Sequence, residues 1–77
     1  MNNQRRKELD NIYNDLESIK YRLEDVLSEE ETCLYNIPEN LQASERYETA
    51  EDACEAISSA VDSIDEIFVF IEQARGR

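Results

Sequence analysis

The sequence has no histidine and no tryptophan, and only one glycine, one proline, one methionine and two cysteines. With no histidine to act as a base and Gly76 as the sole glycine, neither a nucleophile–base pair nor a phosphate-cradling loop can be assembled. No Asp-x-Asp-x-Asp-Gly run is present to bind calcium. The cysteines form no Cys-x-x-Cys pair and have no histidine to complete a zinc site. The expectation is therefore a non-enzymatic protein with no cofactor and no metal.

Long apolar runs are missing as well. The longest, Ile67 to Ile71, is five residues, far short of the ~20 that a membrane span requires. The early basic run Arg5-Arg6-Lys7 leads into Glu8 and Asp10, where a secretion signal would carry an apolar segment. A cytoplasmic, reducing setting follows as the expectation. There Cys33 and Cys54 would be free thiols packing as small apolar groups.

Acidic charge dominates what is there. Nineteen Asp and Glu face eight Lys and Arg in 77 residues, a net charge of −11 and a pI near 4.2. Phosphate contacts require Lys and Arg, so direct binding to nucleic acid or to an anionic membrane is not expected. A basic protein partner suits this charge; solubility alone is the other reading. The charge is also uneven: residues 24 to 55 hold eleven acids against the single base Arg46, a net −10, and leave −1 for the remainder.

Two long periodic stretches flank Pro38. Leu9, Ile12, Leu16, Ile19, Leu23 and Val26 follow alternating three- and four-residue steps that continue through Glu30 and Cys33, so they fill heptad positions a and d of one helix. Tyr13, Leu27 and Leu34 fall at e and widen the stripe to that of a bundle helix. With no Gly or Pro inside it, this helix is expected over about residues 4–35. The second series, Tyr47, Ala50, Cys54, Ile57, Val61, Ile64, Phe68 and Ile71, predicts a helix over about 45–74, with Ala53, Ala60, Ile67 and Ala74 at g. Gly76 is placed to cap its end, where Arg75 suits the helix dipole.

Residues 36–44 form the turn between them. Pro38 disfavours helical geometry at Ile37, and Asn36 with Glu39 resembles a capping box for a short helical turn. Ser44 offers an N-cap to the second helix; the alternative is a single helix running on from Pro38. Leu41 is expected to tuck into the end of the core in either case.

Antiparallel helices joined by one turn must pair residues whose numbers sum to a nearly constant value. Leu34 with Tyr47 and Leu27 with Cys54 give 81, while Leu23 with Ile57, Leu16 with Ile64, Ile12 with Phe68 and Leu9 with Ile71 give 80. The fold class is thus all-α, a single long antiparallel helical hairpin. Cys33 and Cys54 miss this register by about six residues, ~9 Å along the axis, beyond the reach of an intrachain disulfide. So short a chain buries a modest core. Val69 and Phe70 also lie off the seam, so Ile67, Val69, Phe70 and Tyr13 are candidate interface residues of a homodimer in which two hairpins form a four-helix bundle.

The acidic turn is the main functional signal. Glu29, Glu30 and Glu31 sit near the negative end of the first helix, and Arg5, Arg6 and Lys7 at its positive end, each against the local dipole preference. Arg5 and Arg6 have a simpler explanation if they pair with Glu72 across the hairpin. Glu39, Glu45, Glu48, Glu51 and Asp52 complete the candidate partner-binding tip, and Tyr21 and Tyr35, both at f, supply outward-facing anchors. Carboxylates along a rod ~40 Å long can imitate nucleic-acid phosphates and occupy a basic groove.

The segment Asn36-Ile-Pro-Glu-Asn-Leu-Gln-Ala-Ser-Glu-Arg-Tyr-Glu, residues 36–48, resembles the central signature of small acidic proteins from phages and prophages of Gram-positive bacteria. The similarity extends to the basic start, the two helices and the Pro-Glu-Asn-Leu-Gln turn. It implies a mobile-element protein acting inside a bacterial host, with inhibition of a host or defence protein as a fitting role. No functional residue is implied by it.

Overall fold

The computed structural model describes residues 1–76. Helix α1 spans Asn3–Tyr35, a single 3-10 turn spans Glu39–Leu41, and helix α2 spans Glu45–Arg75. The two helices pack antiparallel along their length as a hairpin.

Each helix end has a local cause. Asn2 is extended, and its side-chain oxygen accepts the Arg5 N–H at 2.8 Å, so α1 starts at Asn3. At the far end the backbone N–H of Asn36 bonds back to Thr32 and Leu34. Asn36 therefore closes α1 and does not open the next turn. That turn begins at Pro38, which has an extended ψ and no side-chain cap, so the anticipated Asn36–Glu39 box does not form.

Ser44 is the N-cap of α2. Its Oγ accepts the Tyr47 N–H at 3.2 Å and donates to the Leu41 carbonyl at 2.6 Å, tying the turn to the helix it starts. Of the two alternatives at Pro38, the chain takes the break at Ser44. Gly76 ends α2 with φ of 71°, a conformation L side chains rarely adopt, while its N–H bonds to Glu72.

The seam departs from a simple a/d pairing. Leu34, Cys54 and Ile64 are buried, and Leu9, Tyr13, Leu16, Leu23, Leu27, Ile57, Val61, Phe68 and Ile71 are half-buried. Positions a and e of α1 thus face α2. The d series Ile12, Ile19 and Val26 remains 38%, 43% and 46% exposed. The reason is geometric: one neighbouring helix covers only part of a stripe ~100° wide, and the covered part holds the bulkier Tyr13, Leu27 and Leu34. Tyr13 accordingly takes the place expected for Ile12 beside Phe68.

Leu41 is 50% exposed and does not enter the core end. Leu34 occupies that place, and Leu41 lines a shallow groove with Cys33, Ile37 and Pro38.

The hairpin measures 59 × 15 × 14 Å between Cα extremes, longer than the rod expected from the sequence. Its radius of gyration is 17.6 Å, against about 11.5 Å for a compact chain of this length. Its accessible surface is 6045 Å², roughly 1200 Å² above the value usual for a folded monomer of this mass.

Candidate functional site

The acidic tip is built from the last turns of α1, the 3-10 turn and the first turns of α2. Glu29, Glu39, Glu45, Glu48, Glu51 and Asp52 are exposed, whereas Glu30 and Glu31 are half-buried. Glu30 shares a shallow groove with Glu45, Arg46, Thr49, Ala50 and Ala53. Glu31 borders a hollow on the other side with Leu27, Cys54, Glu55 and Ser58.

Among the described residues the ion pairs are Lys20–Asp65 at 2.6 Å and Asp10–Arg75 at 2.5 Å. Both lie outside residues 24–55, so the eleven tip carboxylates have no ion-pair partner there. The tip is therefore an uncompensated anionic surface, and a cationic ligand would not have to displace an internal cation. Tyr21 and Tyr35 are exposed, Tyr35 on the last residue of α1 at the edge of this surface.

At the open end, Arg5 and Arg6 do not pair with Glu72. The Glu72 carboxylate accepts the Tyr13 hydroxyl at 3.2 Å, and the cation that crosses the hairpin at this level is Arg75, held by Asp10. These pairings raise the Lys20 and Arg75 pKa values through their carboxylate partners. The Tyr13 hydroxyl is also shifted upward, by desolvation first and then by its bond to Glu72.

Among the candidate interface residues, Ile67, Val69 and Phe70 are exposed. Tyr13 is half-buried, its ring stacked on Phe68, so most of its contact is made within the hairpin. An apolar strip that sequence reasoning assigned to the seam lies outside it, namely Ile12, Ile19, Val26 and Cys33 along α1. The sequence signals that part of the stripe is left over, because a stripe occupying a, d and e is too wide for one partner helix, but not which part.

The hairpin consequently has two unlike faces. On one, the e positions of both helices meet in the Lys20–Asp65 and Tyr13–Glu72 contacts. On the other, the α1 d series lies beside the α2 g series, as the groove that joins Cys33 to Arg46 records. The first face is polar and cross-linked. The second carries Ile12, Ile19, Val26 and Ile67 exposed, with Ala53 and Ala60 half-buried beside them.

The thiols differ too. Cys54 is buried, and desolvation, followed by Glu31, Glu30, Cys33 and Glu51, pushes its pKa up, so it packs as an apolar group. Cys33 is a free thiol on the surface, contrary to the expectation that both would pack inside. Among the described residues no group of three or more metal-ligating side chains comes together, and no helix is long and apolar enough to cross a membrane. No family model, no curated protein and no solved structure matches the chain.

Proposed function

We propose that the protein is a non-enzymatic, protein-binding inhibitor or adaptor that engages a basic partner through its acidic tip. The observation that carries this reading is the cluster of eleven carboxylates on residues 24–55 with no ion pair among the described residues. Glu29, Glu30 and Glu31 lie just before the last turn of α1 and continue the acidic surface onto that helix. A net −10 over a tip segment of 20–25 Å is roughly one charge per 2 Å of rod, close to the one per about 1.7 Å of duplex DNA. This density supports mimicry of nucleic acid toward a nucleic-acid-processing protein.

The resemblance of residues 36–48 to phage and prophage proteins supports a cytoplasmic role in a bacterial host, with counter-defence as the biological setting. Two hairpins would form the working unit, a homodimeric four-helix bundle, because the apolar face is uncovered and the surface is large for the mass. The test is affinity capture from a bacterial lysate, followed by competition. A captured basic protein that duplex DNA displaces supports the reading, and one that DNA leaves in place contradicts mimicry.

A second reading is favoured by the strip of Ile12, Ile19, Val26 and Ile67. In it the protein is a structural or assembly module that docks a partner helix on the apolar face, while the acids keep it in solution. Affinity would then change little between low and high salt.

A further inference from the structure

The homodimer reading leaves open which faces meet and in which direction, and the structure bears on both. We propose that a second copy of this chain covers the face of Ile12, Ile19, Val26 and Ile67, and lies tip-to-tail, with its acidic turn beside the first copy's open end. This rests on the dimer reading above and specifies its geometry.

Area and chemistry select the face. The excess of roughly 1200 Å² over a compact monomer is enough to supply the ~800 Å² per partner of a standard interface. Ile12, Ile19, Val26 and Ile67 are 38–46% exposed, and the half-buried Ala53 and Ala60 beside them let helices approach closely. The opposite face is already occupied by its own polar pairs.

Charge selects the direction. A two-fold axis along the hairpin would set two tips of net −10 side by side, whereas an axis across it sets each tip against a segment of net −1. In the second arrangement α1 stacks antiparallel on α1 and α2 on α2. Full overlap places the axis at the helix midpoints, Ile19 of Asn3–Tyr35 and Ala60 of Glu45–Arg75. Both midpoints lie on the apolar face.

The resulting pairs are complementary. Ile12 meets Val26 of the second copy, Ile19 meets its own equivalent, Ala60 meets Ala60, and the small Ala53 meets the large Ile67. At the rim Asp15 comes within one residue of level with Arg22 of the second copy.

Cross-linking tests the geometry separately from the oligomeric state. In a Cys33→Ala, Cys54→Ala background whose helix content is verified by circular dichroism, Ile19→Cys should form a disulfide-linked dimer on mild oxidation. Ile12→Cys alone should not, because its two copies would be ~21 Å apart along the axis. A mixture of Ile12→Cys and Val26→Cys should. Sedimentation equilibrium at micromolar concentration reads the mass in parallel, and a monomer overturns both the dimer and this arrangement. A dimer that cross-links through Asn40→Cys at the tip, or through neither position, overturns the arrangement alone.

Discussion

Tyr13 of α1 and Phe68 of α2 stack with ring centroids 4.6 Å apart and planes inclined by 38°, and the Tyr13 hydroxyl continues to Glu72 at 3.2 Å. One residue thereby fixes both the apolar register and the polar flank of the hairpin. Aromatic pairs in this tilted geometry add to the burial of the rings themselves.

Phe68→Ala should be among the most destabilising single changes. The ring is half-buried, so the loss should be about 2 kcal/mol, below the range for a fully buried phenylalanine. Tyr13→Phe keeps the stack and removes only the bond to Glu72, and should lower the melting temperature far less. Thermal unfolding of the two variants by circular dichroism checks the order.

Ser44→Ala should weaken the start of α2. The hydroxyl both caps Tyr47 and holds the Leu41 carbonyl, and an N-cap of this kind contributes about 1 kcal/mol. Ser44→Asp should recover most of the loss, because a carboxylate also accepts at the cap. Urea unfolding of both variants measures this.

Alkaline pH should destabilise the hairpin. The Cys54, Tyr13 and Lys20 pKa values are each raised in the folded chain above their ordinary 9.0, 10.0 and 10.5. A raised folded pKa contributes stability that is intact below the unfolded value and lost as pH rises through the folded one. The melting temperature should therefore begin to fall above about pH 9 and continue falling beyond pH 10.5. Cys54→Ala should flatten the first part of that decline.

Glu29→Gln and Glu48→Gln carry the same net charge yet sit at opposite helix ends. Glu48 lies in the first turn of α2, where a negative charge is favourable, whereas Glu29 lies before the last turn of α1, where the dipole has largely faded. Glu29→Gln should be nearly neutral and the more stable of the two, by about 0.3–1 kcal/mol at low salt. The difference should shrink as salt is added.

Much of this architecture was legible from spacing. The register sums anticipated the antiparallel pairing because a single short turn leaves no other alignment that buries both stripes, and Ser44 was readable as a cap from its chemistry. The choice within the stripe was not legible, since periodicity places Ile12 and Tyr13 side by side and only packing decides which faces Phe68. Asn36 and Leu41 were not legible for a related reason: at a helix end several local bonding patterns compete, and the backbone of Asn36 closes α1 while its side chain opens no turn. The acidic tip was visible as composition. Its lack of ion pairs among the described residues was not, since it required knowing that Asp65 and Asp10, and not the tip acids, hold Lys20 and Arg75.

The most direct test of the acidic-tip account is the salt dependence of binding to the captured partner, for the native chain and for a variant with Glu29, Glu30, Glu31, Glu48 and Glu51 all replaced by Lys. The account predicts that affinity falls steeply from low to high salt for the native chain and is lost in the variant with its helix content unchanged. Binding by the variant at native strength, with no response to salt, would contradict it.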